Sequence, residues 1–455
     1  MGSNKATTGR RLVLDILTEC DKPGAKSGDI IKAALDKHDY LDQRDKAFIR
    51  RLSEGCIERA ITLDHVIDRF ASTKTSKMKA PVRLIMRMGA YQLLYMDNVP
   101  DAAACNECVS LAAGKGFSGL KGFVNGVLRN ISRNKADIKW PDKEKDLYGY
   151  LSVRYSMPLW IAELLCTEYG SGRAENMLAS FQKERDISIN LLKGDKDKLM
   201  AAWKQNGIKV TQSPYLENAL LLANVPGVGK LAGFEEGDFI VQDVSSMLAV
   251  KAAGIKRGDT IVDLCAAPGG KSLYAASLCG AEGRVFSYDL SWNKTDKIRE
   301  NAERLGLENI VVAEHDATVF DPELKEKADV VIADLPCSGL GVMGRKADIR
   351  YRLNEEDIAS LSQLQRDILK NAAEYVRPGG TLLYSTCTVS REENEENRQW
   401  FLENFEYDSV AFDEKLPDIF KDSTAKDGYL QLVCGEPEGL PLMDGFFISV
   451  YRRRK

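Results

Sequence analysis

A chain of 455 residues with 44% hydrophobic and 29% charged residues has the composition of a water-soluble protein and the length of two to four domains. No apolar run approaches the ~18 residues of a membrane span, and ten cysteines without a repeating spacing argue against a disulfide framework, as three histidines (His38, His65, His315) do against a histidine metal centre. The net charge of −4 is uneven, because residues 1–140 carry 24 Lys and Arg against 16 Asp and Glu, so the N-terminal third is the part expected to meet a polyanion.

The first residues, Met1 to Arg11, contain no apolar leader core, which fits a cytoplasmic protein without membrane contact. From there to residue 137 the pattern is helical throughout. Val124, Val127, Leu128 and Ile131 fall on one apolar face, and Leu84, Met88, Tyr91 and Tyr95 make a similar stripe. Asp101 is expected to cap a helix over Ala102–Ala113. Cys105 and Cys108 lie within that helix and, with no second pair to complete a metal site, read as one helix face. Lys74, Lys77, Lys79, Arg83 and Arg87 form an acid-free basic cluster suited to phosphates or to solvent.

Asn134–Asp146, charged and containing Pro141, reads as a linker. A small α/β module is expected over residues 147–235. A helix opens at Met157-Pro-Leu-Trp160, strands run at Ile187–Leu192 and Ala219–Ala223, and Lys196–Asn206 is helical. Residues 236–455 then alternate strand and helix. The strands are Thr260–Leu264, Arg284–Asp289, Ile310–Ala313, Ala328–Ala333 and Gly380–Tyr384, with helices such as Asp296–Leu305 and Ile358–Val376 between them and a last strand at Gly445–Tyr451. Such alternation predicts a parallel, doubly wound, Rossmann-like sheet.

In a sheet of this kind ligands bind beyond the carboxyl ends of the strands. The first βα turn is Asp263-Leu-Cys-Ala-Ala-Pro-Gly-Gly-Lys-Ser272, whose glycines would let the backbone approach a ligand. Asp289 closes the second strand, 19 residues past Gly270, where an acid typically takes ribose hydroxyls. Asp316 follows the third strand, where a carboxylate can accept from an adenine amino group, and Asp334 follows the fourth. The turn lacks both Gly-x-Gly-x-x-Gly and Gly-x-x-x-x-Gly-Lys-Ser/Thr, which disfavours a dinucleotide and a P-loop nucleotide. S-adenosylmethionine, a nucleoside cofactor without phosphate, remains.

Cys337 in Asp334-Leu-Pro-Cys-Ser338 and Cys387 in Ser385-Thr-Cys-Thr388 both follow strands of this sheet. Two thiols beside a methyl donor point to a carbon that must first be activated. Carbon 5 of cytosine is such a carbon, because a thiolate adding at position 6 turns the ring into an enamine that attacks through carbon 5. A carboxyl group protonating or hydrogen-bonding ring nitrogen 3 would promote the addition, and Asp334 is placed for it.

Two resemblances follow from these residues. The N-terminal third resembles NusB, a helical RNA-binding factor, at Arg10-Arg-Leu-Val-Leu-Asp-Ile-Leu17, Asp42-Gln-Arg-Asp-Lys-Ala-Phe48, Leu84–Tyr95 and, most specifically, Lys121-Gly-Phe-Val-Asn-Gly-Val-Leu-Arg129. Asp263–Ser272, Asp334–Gly341 and Ser385–Thr388 resemble the motifs of RNA 5-methylcytosine methyltransferases, and the whole chain resembles the RsmB (Sun/Fmu) family, which modifies 16S ribosomal RNA. The resemblance implies an all-α NusB-like domain at 1–137, an RNA-binding module at 147–235 and a methyltransferase domain at 236–455. It makes Cys387 the nucleophile and Cys337 the aid to product release. Cys265, Ala266, Ala267, Pro268, Gly269, Gly270, Lys271, Asp289, Asp316 and Asp334 would contact S-adenosylmethionine or the target base. Gln242-Asp243 and Asp444-Gly-Phe-Phe447 match the family's entry and last motifs. Ser188 stands where the middle module of the family carries an arginine, and Ala347 where a proline is frequent. The expected partner is 16S rRNA with an unpaired cytosine, since a stacked base hides position 6, and the expected state is a monomer that binds neither DNA nor membrane. Three alternatives remain: a non-catalytic RNA-binding assembly factor, the same chemistry on tRNA, and a DNA cytosine methyltransferase using the Pro-Cys thiol.

Overall fold

The computed structural model describes residues 2–455, with side chains from Gly9 onward. The reading of Met1 and of the side chains up to Thr8 as no leader lies outside those residues. The chain divides into two compact units, residues 1–182 with 345–353, and residues 183–344 with 354–455. Among the described residues no helix is long and apolar enough to cross a membrane, and no disulfide is present.

The first unit is helical. Its helices include Gln43–Glu58, Ala60–Phe70, Ala80–Tyr95, Asp101–Gly114 and Lys121–Asn134. The expected apolar face of the last one is buried at all four positions, Val124, Val127, Leu128 and Ile131. It packs with Leu14, Ile49, Val66 and Ile85 in one core. Cys105 and Cys108 are buried on their helix, as a helix face requires. Asp101 is not the cap. Pro100 holds that position, and the Asp101 carboxylate instead accepts from Ser132 Oγ at 2.6 Å and from Lys135. The basic cluster is partly spent on internal pairs, Arg83 with Asp21 and Arg87 with Asp64. The short helix Ile349–Arg352 also belongs to this unit, with the Arg350 guanidinium fully buried and donating to the Ser156 carbonyl at 3.1 Å.

The second unit opens with a small antiparallel sheet. Its strands are β1 (Ile187–Leu191), β2 (Lys209–Gln212), β3 (Ala219–Ala223) and β4 (Phe239–Val241), in the order β2-β3-β1-β4. Helix Lys196–Gln205 covers one face, where Trp203 is buried against Phe239.

The larger sheet comprises β5 (Thr260–Asp263), β6 (Arg284–Asp289), β7 (Ile310–Glu314), β8 (Ala328–Asp334), β9 (Val376–Thr386), β10 (Tyr407–Ser409), β11 (Tyr429–Leu432) and β12 (Phe446–Arg453). Its order is β10-β12-β9-β8-β5-β6-β7, with β11 also on β12. Strands β5 to β9 are parallel, and β12 runs antiparallel to β9. Chain order reverses between β5 and β8, which makes that junction the topological switch point where a crevice opens. Helices cover both faces, so each strand is apolar on both sides and neighbouring residues feed different cores. Val330, Ile332 and Leu383 join Met247 and Tyr274 on one face. Val331, Ala333, Leu382 and Tyr384 join Ile368 and Phe401 on the other.

Boundaries differ from the pattern at β4, which pairs with β1 beyond residue 235, and at β9. Strand β9 begins at Val376, before Pro378-Gly-Gly380, rather than at Gly380. The register slips between the Ala328 and Val330 pairings, and that irregularity accommodates a proline that cannot donate to the ladder.

Candidate active site

The carboxyl ends of β5, β6, β8 and β9 carry the polar groups of the site. Asp263 ends β5 fully buried and accepts from Ser272 Oγ at 2.6 Å. Burial pushes its carboxyl up to about 7, against the opposing bond from Ser272. The loop that follows is strapped to β6, with Ala266 N donating to Tyr288 O at 2.8 Å and Ala267 N to Asp289 Oδ2 at 2.9 Å. Gly269 also answers to its own packing. Its φ is +107°, and a Cβ there would lie 3.2 Å from Ile298 Cγ2 and 3.3 Å from Leu273 Cδ1. Gly270 opens helix Gly270–Cys279 with only an ordinary contact to Gln242. Cys265 remains a thiol, because burial and the charges of Asp263, Asp289 and Asp334 raise it.

Asp289 is buried and accepts from Leu290 N at 2.7 Å and from Lys294 Nζ at 2.8 Å as well as from Ala267. Asp316, beyond β7, is exposed and accepts from Thr318 N at 2.9 Å and Thr318 Oγ1 at 2.7 Å, bonds that hold its carboxyl below the usual range. On the other side of the switch point, Lys271 Nζ reaches Asp334 Oδ2 at 2.6 Å and lies 4.9 Å from the centre of the Phe446 ring. Ser385 Oγ donates to Asp334 Oδ1 at 2.7 Å. Both Asp334 oxygens are thus partnered, one by Lys271 and one by Ser385.

The two cysteines meet. Cys337 Sγ lies 3.3 Å from Cys387 Sγ, too far for a disulfide of about 2.05 Å. The neighbouring Cys387 thiol, then burial and the charges of Glu393 and Asp334, push Cys337 well above the ordinary thiol value, so it keeps its proton at neutral pH.

A family model described as 16S rRNA methyltransferase RsmB/F matches residues 251–452, and the NusB family model matches residues 7–133. The "Probable ribosomal RNA small subunit methyltransferase B" of Bacillus subtilis (strain 168) is 34% identical over 459 residues, covering 99% of this chain and 100% of that one. The chain belongs to the RsmB/F family. The ribosomal RNA small subunit methyltransferase B of Klebsiella pneumoniae (strain 342) is 31% identical, over 91% of this chain and 92% of its own. Among solved structures, the crystal structure of PH0851 is similar with a TM-score of 0.80 and 26% identity, covering 99% of each chain. NSun6 from Pyrococcus horikoshii with SFG shares the fold, with a TM-score of 0.56 at 23% identity over 66% of this chain and 98% of that one.

Set in the RsmB/F family, the departures and the unforeseen residues acquire a context. Ser188, in place of the family's arginine, donates from Oγ to the Gln242 carbonyl at 2.8 Å, so it holds the entry motif from beneath. Arg185, three residues earlier, forms a buried ion pair with Asp444 of Asp444-Gly-Phe-Phe447. No motif marks Arg185, which stands among the charged residues Lys183, Glu184 and Asp186. Gly341 ties three motifs together. Its N–H donates to Cys387 O at 3.1 Å, its carbonyl accepts from Gly445 N at 3.0 Å, and a Cβ would meet Gly445 O at 2.0 Å. Gly341→Ala is expected to displace the Cys387 loop and to lower stability by about 1–3 kcal/mol, the usual range for overpacking, measured as a lower urea midpoint. An unchanged midpoint would show that the loop yields freely.

Proposed function

We propose that this chain transfers a methyl group from S-adenosylmethionine to carbon 5 of an unpaired cytosine in 16S rRNA, through a covalent bond between Cys387 and the base. The observation that carries the reading is the 3.3 Å approach of the Cys337 and Cys387 sulfurs at the ends of adjacent strands. Family membership supports methyl transfer to ribosomal RNA as the reaction class.

The donor set fits a nucleoside without phosphate. Acceptors dominate: Asp263 at the end of β5, Asp289 at the end of β6 and the exposed Asp316 beyond β7. Such carboxylates suit an amino group, ribose hydroxyls and an adenine amine, and would repel phosphate. The loop from Cys265 through Ala266, Ala267, Pro268, Gly269 and Gly270 to Lys271 would line the same pocket. The bound cofactor supplies an electrophilic methyl group.

Cys387, as thiolate, forms a bond from Sγ to carbon 6 of the cytosine, and the ring electrons become available at carbon 5. The Lys271–Asp334 pair, 2.6 Å apart, would lend a proton to ring nitrogen 3 as charge builds on the ring during addition and take it back when the adduct collapses. Carbon 5 then gains the methyl group. The carbon 5 proton then passes to solvent, its bonding electrons return to the ring, and the Sγ–carbon 6 bond breaks with its electron pair left on the Cys387 sulfur. Cys337, protonated and in contact with the departing sulfur, supports that release. The target is read as a flipped base. In the helical unit, a cavity of about 340 Å³ lined by Lys77, Lys79, Phe117 and Phe123 offers cations and rings for RNA outside the target site.

Isothermal titration with S-adenosylmethionine, paired with bisulfite sequencing of 16S rRNA from cells with and without the protein, tests this reading. Binding and the loss of one protected cytosine are expected. Absence of cofactor binding would favour a non-catalytic RNA-binding role instead.

A further inference from the structure

The two thiol-bearing loops come from different strands, yet one buried carboxylate joins them. Glu393 is fully buried in the second unit. Its Oε1 accepts from Ser338 N at 2.9 Å and from Gln365 Nε2 at 3.0 Å, and its Oε2 accepts from Ser338 Oγ. Ser338 Oγ lies 2.6 Å from Thr388 Oγ1. With the Ser338 proton directed at the carboxylate, Thr388 is the donor in that second bond. Ser338 adjoins Cys337 and Thr388 adjoins Cys387, so the chain Thr388–Ser338–Glu393 spans from one cysteine loop to the other. The Glu393 carbonyl accepts in turn from Tyr384 of β9, which anchors the carboxylate to the sheet.

We propose that Glu393 is a positioning residue that sets the separation of the two sulfurs. A buried carboxylate without partners would be expelled or neutralised, and here its partners are the backbone and hydroxyl of the residue beside Cys337. Removing it leaves the Ser338 amide buried with nothing to accept from it and the Ser338 hydroxyl with Thr388 alone, and the Cys337 loop is then free to drift from Cys387. A displacement of about 1 Å in a reacting group costs about 10²-fold in rate. This consequence rests on the reaction proposed above, whereas the clamp itself is a statement about two sulfur atoms.

Two measurements on the full chain separate them. The first is the rate at which the thiol oxidant diamide closes a Cys337–Cys387 disulfide, followed by peptide mass spectrometry. Wild-type protein is expected to close it readily, and Glu393→Ala about 10²-fold more slowly. Glu393→Gln, which keeps an acceptor for Ser338 N, is expected to restore closure to within about tenfold. The second is methylation of a 16S rRNA fragment. Glu393→Ala is expected to lose kcat by about 10²-fold, with KM for RNA and the affinity for S-adenosylmethionine unchanged. Equal disulfide rates in wild type and Glu393→Ala would overturn the clamp. So would a Glu393→Ala defect that Glu393→Gln does not relieve although the Gln variant melts at the wild-type temperature. Should wild type close the disulfide but methylate nothing, the reaction is wrong and the clamp stands on the first measurement.

Discussion

Cys387→Ala protein is expected to methylate 16S rRNA at least about 10⁴-fold more slowly than wild type, the scale seen when a covalent nucleophile is removed. The affinity for S-adenosylmethionine should be unchanged, since the carboxylates assigned to that cofactor lie at the ends of β5, β6 and β7, whereas Cys387 follows β9. The physical reason is that without a sulfur on carbon 6, carbon 5 stays part of an aromatic, electron-poor ring. Cys337, although 3.3 Å away, is not expected to replace it, because burial and the charges of Glu393 and Asp334 still oppose its ionisation once Cys387 is gone. Single-turnover methyl incorporation together with calorimetric cofactor binding checks both halves. Wild-type incorporation by Cys387→Ala would remove Cys387 from the reaction.

Cys337→Ala is expected to fail in the opposite direction. Addition and methyl transfer proceed through Cys387, but the step that frees the base slows by about 10²–10⁴-fold, the contribution of a positioned acid–base group. Protein joined to RNA should then accumulate as a slow-migrating band that survives denaturant and disappears on ribonuclease treatment. The double variant Cys337→Ala with Cys387→Ala should show no such band, which assigns the bond to Cys387. If Cys337→Ala turns over normally with no adduct, the contact between the two sulfurs has no part in release. A band from Cys337→Ala that persists in the double variant would point to a different nucleophile.

Much of the fold is legible without coordinates. The Val124–Ile131 stripe, the strands at Thr260, Arg284, Ile310 and Ala328, and the placement of Asp289 and Asp334 at strand ends all follow from local periodicity, because side-chain direction repeats every 2 or 3.6 residues. Local rules failed where a residue found a distant partner. Asp101 has the chemistry of a cap yet bonds Ser132 and Lys135 on the following helix. Glu393 stands in the run Arg391-Glu-Glu-Asn-Glu-Glu396, which has the look of a solvated helix start, and is nevertheless fully buried.

The residue types on which the proposed chemistry rests, two cysteines, three strand-end aspartates and a lysine after paired glycines, are properties of the chain alone. Which of them touch is not. Lys271 meets Asp334, Cys337 meets Cys387, and Ser338 meets Glu393 across 63, 50 and 55 residues of sequence. These meetings depend on β9, β8 and β5 lying side by side in that order, a matter of how the crossovers pack onto the sheet. No periodicity within a single segment encodes that order, so only the assembled sheet brings the two sulfurs and their clamp to one place.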